Sequence, residues 1–265
     1  MPLQVFDRGE GWTLYQGESV SGIETFESAQ FDALVTDPPY SSGGFTRSDR
    51  SSSPAQKYTR SDSMSPLLLP DYSGDNRDQL TMMWWMDRWM TTALDKVKRG
   101  GTMVVWTDWR QIVTTITAVQ MAGWVYRGLC PWVKPGARPQ PGRFGAAAEF
   151  IVWGSHGSLG EGNGSYPQGY TKAEQYFEAQ PAVEALYVRG SDREHITQKP
   201  VPVMRWCLGM LPKGGMVLDP FAGSGSTGVA CADLGLVFVG IEREEAYCRI
   251  AARRLRDAYA QTRIR

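Results

Sequence analysis

The chain has 265 residues, of which 42% are hydrophobic and 21% charged, and its 28 basic and 28 acidic residues give a formal net charge of +0. This balance is typical of a globular protein with a full core and excludes a wholly disordered chain. It also excludes a uniformly basic surface, so a polyanionic partner would have to meet a local cluster of positive charge.

The composition also bears on location and on metal binding. The first residues carry Asp7 and Glu10 and no apolar run, so no signal peptide is expected. No uncharged apolar stretch approaches the roughly 18 residues needed to span a bilayer. The four cysteines form no C-x-x-C pair, and there are only two histidines, His156 and His195. We therefore expect a cytoplasmic protein with reduced thiols and without a metal site.

The first predicted elements lead to an acidic turn. Residues 13–18 are typical of a short strand that ends in Gly17 and Glu18, and a brief helix is expected around 21–28. Residues 31–36 predict a buried strand, and Asp37, Pro38, Pro39 and Tyr40 follow it. The two prolines end the strand because neither can donate a ladder hydrogen bond. The turn leaves an acid, two carbonyls and an aromatic ring where open α/β sheets bind ligands.

The next segment, residues 41–75, is rich in Ser, Gly, Arg, Pro and Asp. A stretch this long without periodicity is either a solvated loop or a functional lid. Its position directly after the acidic turn favours a mobile lid that contacts the substrate. Basic residues outnumber acidic ones in its first part, namely Arg47, Arg50, Lys57 and Arg60.

The middle of the chain alternates between helices and strands. Apolar residues spaced three and four apart between 82 and 97 predict one face of a helix, which the pair Gly100-Gly101 should end. A strand over 102–106, a helix over 111–121 and strands over 125–133 and 149–153 follow. The loop between the last two strands contains basic residues and no acid, namely Lys134, Arg138 and Arg143.

Periodicity fades after residue 153, and residues 154–194 are predicted to be an inserted recognition segment. A helix over 201–211, a strand over 216–219, a helix over 226–234, a strand over 237–242 and a helix over 244–260 complete the chain. The alternation predicts a mostly parallel sheet in a single α/β domain that spans residues 1–265.

A glycine-rich turn separates the strand over 216–219 from the helix that follows it. Glycines let the backbone approach a ligand closely, and the helix N-terminus presents free N–H groups. Ser226 and Thr227 open this helix and would either cap it or line the site. Glu242 ends the next strand, where an acid can accept hydrogen bonds from ribose hydroxyls. The candidate ligand residues are Asp219, Phe221, Gly223, Gly225, Ser226, Thr227 and Glu242.

The spacing of Gly223, Gly225 and Gly228 also fits the G-x-G-x-x-G dinucleotide pattern, which suggests a nicotinamide-dependent oxidoreductase as a rival. Three observations argue against it. Only about 40 residues follow the turn, which leaves no second nucleotide-binding half. The acid Asp219 suits a cationic ligand better than a pyrophosphate, and no Tyr/Lys or His/Asp set for hydride transfer is evident.

Three motifs carry a resemblance to S-adenosylmethionine-dependent amino-methyltransferases that modify DNA bases. Residues 221–225 resemble F-x-G-x-G, residues 37–40 resemble D-P-P-Y, and residues 195–200 are similar to H-x-T-Q-K-P. The catalytic motif precedes the cofactor motif, as in the circularly permuted β class, which includes N6-adenine and N4-cytosine enzymes. The family often has Asp where this chain has Glu18, and the segment after residue 153 is short for a target-recognition domain.

The resemblance implies a Rossmann-like sheet of seven mostly parallel strands with one antiparallel strand, helices on both faces and a small recognition insertion. It implies S-adenosylmethionine as cofactor, double-stranded DNA as substrate and a bacterial or phage-type host cytosol, and it leaves open whether the protein is a homodimer. Thr197 and Lys199 would hold the methionine end, with Lys199 facing its carboxylate. The glycine-turn residues and Glu18 would complete the pocket.

The same resemblance suggests how the chemistry works. The carboxylate of Asp37 and the carbonyl of Pro38 would accept hydrogen bonds from the exocyclic amine, and Tyr40 would stack on the flipped base. DNA phosphates would meet the two basic groups of the lid and the loop. Cys130-Pro131 has the reverse order of the Pro-Cys of C5-cytosine enzymes, which speaks against a cysteine nucleophile.

The leading prediction is therefore methylation of adenine N6 in a specific DNA sequence. N4 of cytosine is the alternative within the family, although an Asp at the head of the tetrapeptide favours adenine and Ser is commoner for cytosine. A non-catalytic DNA- or nucleotide-binding protein is the alternative of another class.

Overall fold

The structure, a computed structural model, describes residues 2–41, 77–133, 142, 148–159, 177–178 and 198–262. The predicted lid beyond residue 41 and most of the predicted insertion lie outside the described residues. Thr197 and His195 also lie outside them, as do all seven basic residues that were predicted to bind DNA.

Strands and helices alternate along the described chain, as the sequence pattern predicts. The strands are β1 (Gln4–Gly9), β2 (Trp12–Gln16), β3 (Phe31–Thr36), β4 (Val97–Thr107), β5 (Val125–Val133), β6 (Ala148–Ser155), β7 (Phe177–Glu178), β8 (Met216–Asp219) and β9 (Val237–Glu242). The helices are α1 (Ser19–Glu24), α2 (Gln79–Lys96), α3 (Ile112–Met121), α4 (Val201–Leu208), α5 (Ser226–Leu234) and α6 (Glu245–Thr262).

The strands form one sheet in the order β1-β2-β9-β8-β3-β4-β6-β5-β7. From β2 to β4 all neighbours are parallel, whereas β6 runs antiparallel to both β4 and β5. The seven strands from β2 to β5 therefore match the predicted sheet with its one antiparallel strand, and the α/β fold class is confirmed. β1 and β7 extend this sheet at its two edges, with β1 antiparallel to β2 and β7 parallel to β5.

The strand order of the sheet reverses between the parallel strands β3 and β8. From β3 the chain proceeds to its neighbour β4, and from β8 it proceeds to β9 on the opposite side. Such a reversal leaves a crevice at the carboxyl ends of the two central strands, where open α/β sheets bind ligands. The fold therefore places the segments that follow β3 and β8 next to each other.

Each face of the sheet carries its own hydrophobic core. Alternate side chains of β3 point to opposite faces, so that Ala33 and Val35 join one core and Leu34 joins the other. Helices α4, α5 and α6 cover the first face, and α1, α2 and α3 cover the second. The predicted stripe of α2 is buried in the second core, which confirms that it is core packing.

The glycine pair Gly100-Gly101 does not end helix α2, contrary to the sequence-based prediction. The helix ends at Lys96, and Val97 is already extended and begins β4. Gly100 has a φ of +80°, and a Cβ on Gly101 would lie 2.7 Å from the carbonyl oxygen of Asp32. The pair is thus an irregularity inside the strand, where the backbone of β3 approaches too closely for a side chain.

Strand β1 was not predicted because its sequence has no alternation of apolar and polar residues. Its residues are exposed or half-buried, and its register against β2 shifts between Val5 and Asp7. Only the pairing with β2 makes it a strand. Pairing along an edge depends on a neighbour elsewhere in the chain, so local periodicity does not reveal it.

Gly228 lets helix α5 pack closely on the sheet and on α6. A Cβ there would lie 2.4 Å from Cδ2 of Leu255 and 2.7 Å from Cδ1 of Phe238, and both of these neighbours are fully buried. The close approach of three elements therefore accounts for the glycine that completed the G-x-G-x-x-G pattern.

We expect Gly228→Ala to lower the free energy of unfolding by about 1–3 kcal/mol, because overpacking outweighs the better helix propensity of alanine. Urea unfolding followed by circular dichroism measures the change. Asp233→Ala, at an exposed position of the same helix, is the control and should stay within about 0.5 kcal/mol of the wild type. Equal stability of Gly228→Ala and the wild type would contradict the close packing.

Candidate active site

Acidic side chains lie where the parallel strands of the sheet end, and four of them belong to the candidate site. Asp37 follows β3, Asp219 ends β8 and Glu242 ends β9. Glu149 joins them because β6 runs antiparallel to β4 and therefore begins where β4 ends. The sequence analysis identified the first three acids and missed Glu149.

The tetrapeptide after β3 folds back on itself. The hydroxyl group of Tyr40 donates a hydrogen bond of 2.5 Å to Oδ1 of Asp37. The other carboxylate oxygen, Oδ2, accepts one of 2.7 Å from Nζ of Lys199. Pro38 is buried, whereas Asp37 and Tyr40 keep some contact with solvent. The two ends of the motif therefore fix each other, and the carboxylate has a defined orientation.

Ser41 turns the chain away directly after the tetrapeptide. Its φ of +52° lies in the left-handed region, which a residue other than glycine rarely adopts. The residue is buried, and its hydroxyl oxygen accepts a hydrogen bond of 3.3 Å from the backbone N–H of Arg77. Strained backbone of this kind clusters at functional sites, so this feature supports a role for the turn beyond ending the strand.

Lys199 is buried between two carboxylates. Its side chain is 7% exposed, and its ammonium group lies 2.7 Å from Oδ2 of Asp37 and 3.2 Å from Oε2 of Glu149. The centres of the rings of Tyr40 and Trp106 lie 5.1 and 5.2 Å from the same nitrogen. Burial of an ammonium group is tolerated here because charges and aromatic faces compensate for lost water.

The surroundings shift the ionisation of these groups. Burial raises the pKa of Asp37 above its ordinary value of 3.8, although the charge of Lys199 opposes the shift. Burial also lowers the pKa of Lys199, but the neighbouring Asp37 and Glu149 outweigh it, and the net effect is a raised pKa. Burial and the charge of Asp37 raise the pKa of Tyr40, so the phenol remains a hydrogen-bond donor at neutral pH.

Asp219 links β3, β8 and the first turn of α5. It is 2% exposed and accepts hydrogen bonds of 2.6 Å from the hydroxyl of Thr36, 2.5 Å from that of Thr227 and 3.1 Å from the backbone N–H of Phe221. Burial raises its pKa to about 6. The observed partners of Asp219 are thus internal, and a direct contact with a ligand stays a prediction.

The glycine turn leaves the N-terminus of α5 open. Gly223 and Gly225 have φ values of +52° and +80°, and Gly225 is the N-cap of the helix. Among the described residues no side chain makes a capping hydrogen bond at this end, because the N-cap position is occupied by Gly225. Ser226 and Thr227 therefore do not cap the helix, contrary to one of the two sequence-based alternatives, and the hydroxyl of Thr227 donates to Asp219. Backbone N–H groups at such an end are suited to a negatively charged or polar ligand.

Glu242 braces the same turn from the end of β9. Its carboxylate accepts hydrogen bonds of 2.9 Å from the backbone N–H of Gly223 and 2.7 Å from that of Glu244. Burial raises its pKa to about 7. Glu18 lies nearby, since the N–H of Gly17 donates to the carbonyl of Glu242, but its carboxylate caps α1 by accepting from the N–H of Ser21.

An aromatic cluster flanks the glycine turn. The ring of Phe221 lies 5.3 Å from that of Trp85 and 5.4 Å from that of Trp89, measured between ring centres. The guanidinium group of Arg77 lies over Trp85 at 4.2 Å. The sequence identified Phe221 through its motif, but the two tryptophans are found only once α2 is packed against the turn.

The two groups of residues are neighbours because β3 and β8 pair directly. One group contains Asp37, Tyr40, Lys199 and Glu149, and the other is the glycine turn with its partners. The hydrogen bond between Thr36 and Asp219 connects them across the strand pair. The arrangement offers an oriented carboxylate beside a turn that suits a nucleotide-like ligand.

Two classes of feature are missing from the described part of the chain. No group of three or more His, Cys, Asp or Glu side chains within it is arranged to hold a metal ion. Its helices include none that is both long and apolar enough to cross a membrane.

Comparisons with known proteins agree on one family. The family model described as DNA methylase, for N6 and N4 enzymes, matches residues 31–253. The Type II methyltransferase M2.MboI of Moraxella bovis is 24% identical over 266 residues, which covers 94% of this chain and 89% of that protein.

Solved structures share the fold. The crystal structure of the M1.HpyAVI–SAM complex has a TM-score of 0.62 at 21% identity and covers 92% of this chain and 98% of that one. The PvuII DNA methyltransferase, described as cytosine-N4-specific, has a TM-score of 0.65 at 15% identity and covers 95% of this chain and 92% of its own.

The raised pKa of Glu242 leads to a pH prediction for the ligand-free protein. Between its ordinary value of 4.5 and about 7, the folded protein holds a proton that the unfolded chain releases. The contribution of Glu242 to stability therefore falls as the pH rises through this window. Since the side chain keeps some solvent contact, we expect a loss on the order of 1–2 kcal/mol.

Glu242→Gln should remove this loss, so its free energy of unfolding should fall less between pH 4.5 and pH 7.5 than that of the wild type. Urea unfolding at several pH values measures both curves. Glu245→Gln, which changes an exposed carboxylate in the next helix, should follow the wild-type curve. Parallel curves for Glu242→Gln and the wild type would show that Glu242 has no raised pKa.

Proposed function

The chain belongs to the N6/N4 DNA methylase family, and on that premise we propose that it transfers a methyl group from S-adenosylmethionine to the exocyclic amine of a base in double-stranded DNA. The observation that carries the proposal is the oriented carboxylate of Asp37, which Tyr40 and Lys199 hold at the carboxyl end of β3. The glycine turn, where the methyl donor would bind, lies beside it across the β3–β8 pair.

We propose adenine N6 as the methylated atom. The support is the acid at the first position of Asp37-Pro38-Pro39-Tyr40, since Ser is commoner at this position in the cytosine enzymes that the chain resembles. N4 of cytosine remains the alternative, since a cytosine-N4-specific enzyme has a similar fold. The catalytic motif precedes the glycine turn in the chain, and this order supports membership of the permuted β class.

The proposed mechanism depends on how the amine is held. Its lone pair is delocalised into the ring, and the carboxylate of Asp37 and the carbonyl of Pro38 would each accept one of its protons. Fixing both protons directs the lone pair towards the donor. The base would have to leave the stack first, and the ring of Tyr40, whose hydroxyl is fixed by Asp37, would pack against it.

When bound, S-adenosylmethionine would supply a methyl group on a sulfonium sulfur, which would keep the electron pair of the broken C–S bond. The amine nitrogen would gain this methyl group and lose one proton, and Asp37 would accept that proton. No covalent bond to the enzyme forms.

The residues present suit this donor. The open N-terminus of α5 offers backbone N–H groups, and a carboxylate oxygen of Glu242 has a second lone pair for a ribose hydroxyl. Phe221 adds an aromatic surface backed by two tryptophans. Asp219 would position this turn from behind. Contacts of Glu18, Ser226, Thr227, Thr197 and Lys199 with the donor remain part of the proposal.

We assign DNA binding to the basic residues of two segments, one after Tyr40 and one between β5 and β6. Salt-dependent affinity for DNA would follow from such a cluster. The recognition insertion between β6 and α4 would add sequence preference. The residues are Arg47, Arg50, Lys57, Arg60, Lys134, Arg138 and Arg143.

We expect Asp37→Ala to lower the rate of methyl transfer by about 100- to 10,000-fold, because the amine loses its main proton acceptor. Transfer of tritium from methyl-labelled S-adenosylmethionine to mixed-sequence DNA measures the rate. The control Asp257→Ala, at an exposed position on α6, should transfer at the wild-type rate.

Hydrolysis of the methylated DNA to nucleosides, followed by mass spectrometry, identifies the product. N6-methyladenine supports the proposal, whereas N4-methylcytosine would replace the assigned base. DNA binding without any transfer would favour a non-catalytic binding protein.

A further inference from the structure

Glu149 is a carboxylate that the mechanism above does not use. It lies near the start of β6, opposite Trp132 of β5, in a strand whose other residues are apolar or small except for Ser155. Its side chain is 21% exposed, and Oε2 lies 3.2 Å from the ammonium group of Lys199. A carboxylate is rarely buried in such a strand unless its charge has a partner.

The ammonium group of Lys199 forms ion pairs with two carboxylates. Lys199, in the segment before α4, contacts Asp37 after β3 and Glu149 on β6. Three parts of the chain that are distant in sequence therefore meet at one buried cation. A single carboxylate would neutralise Lys199, so the second leaves one net negative charge among these three residues.

We propose that Glu149 is a positioning residue of the methyl-transfer site: it holds the second side of Lys199, so that the ammonium group orients the Asp37 carboxylate without fully neutralising it. The inference rests on the proposed role of Asp37 and deepens it.

The arrangement suits the proposed reaction, in which the amine nitrogen becomes more positive as it gains a methyl group and then loses a proton. A carboxylate paired with its own lysine binds the protons of an amine weakly, because the lysine already satisfies its charge. Because Lys199 interacts with both Asp37 and Glu149, it neutralises the charge of Asp37 only in part. Asp37 therefore stays a stronger hydrogen-bond acceptor than it would be if it were paired with Lys199 alone. The hydrogen bond from Tyr40 to Oδ1 and the one from Lys199 to Oδ2 fix its orientation at the same time.

Other ionisable groups also face Asp37 among the described residues. Tyr40 lies on the same turn, Asp219 ends the neighbouring strand β8, and Cys207 lies on α4. Asp108, beyond the end of β4, acts on Tyr40. Tyr40 approaches Lys199 with its ring, whereas the ion pairs of Lys199 within the described residues are those with Asp37 and Glu149. Substitutions of Lys199 and Glu149 therefore change these ion pairs directly.

The two substitutions should act on Asp37 in opposite directions. Glu149→Gln removes a negative charge but keeps an oxygen that can accept from Lys199, so the pKa of Asp37 should fall. Lys199→Met removes the positive charge at similar volume, so the pKa of Asp37 should rise. A purely structural role would not produce shifts of opposite sign.

The test is a carbon-13 NMR titration of the ligand-free protein labelled at the aspartate carboxyl carbons. The signal of Asp37 is identified by its loss in Asp37→Asn. We expect the titration midpoint of Asp37 to lie at lower pH in Glu149→Gln and at higher pH in Lys199→Met than in the wild type. The control Glu27→Gln should leave it unchanged, because it alters an exposed carboxylate before β3, at the amino end of that strand.

A midpoint in folded Glu149→Gln that stays at the wild-type pH or moves upward would overturn the proposal. Thermal unfolding establishes that each variant is folded. Lys199→Met leaves two buried carboxylates without their cation and is the variant at risk of unfolding. Glu149→Gln keeps the hydrogen-bond geometry and decides the question alone.

Kinetics give a second readout. In Glu149→Gln we expect kcat to fall about tenfold at neutral pH with KM for DNA unchanged, because a weaker acceptor binds the amine protons less tightly in the transition state. The acid limb of the kcat/KM profile should move to lower pH. If the wild type transfers no methyl group, the proposed function fails, whereas the NMR titration still decides whether Glu149 controls Asp37.

Discussion

The buried carboxylate of Asp219 is the interaction on which the geometry of the site depends. It accepts hydrogen bonds from β3, from the first turn of α5 and from the backbone of the glycine turn. Each bond joins a part of the chain that carries either Asp37-Pro38-Pro39-Tyr40 or the glycine turn. A buried acceptor that lost one of these donors would face a desolvation cost of about 1–3 kcal/mol, so the three parts hold a single arrangement. Asp219 therefore helps to set the distance between the carboxylate of Asp37 and the glycine turn.

The sequence predicted the local features of the site. A buried strand followed by Asp37-Pro38-Pro39-Tyr40, a glycine turn before a helix and Glu242 at a strand end all depend on neighbours within a few residues. The predicted bounds of α5 and β9 agree with the structure. Strand–turn–helix units have strong local signatures, because prolines restrict the backbone and glycines allow conformations that other residues rarely adopt.

Features that depend on contacts between distant parts of the chain could not be predicted in this way. Gly100-Gly101 is typical of a helix end, but the neighbouring backbone of Asp32 requires the glycines inside β4. Glu149 is one acid in an apolar strand, and its meaning depends on the direction of β6 and on a lysine about 50 residues later. The one signal in the sequence is the position of this acid at the beginning of a strand that is otherwise apolar or small.

The ion pair between Glu149 and Lys199 has a consequence for the length of the chain between β6 and α4. The two residues flank the whole segment between β6 and α4, so their contact closes a loop at its base. The entropy cost of closing a loop grows only slowly with its length. A change in the length of the chain between these two residues should therefore cost little stability as long as their ion pair is kept. The proposed recognition segment could thus change in sequence while the ion pair beside Asp37 stays the same.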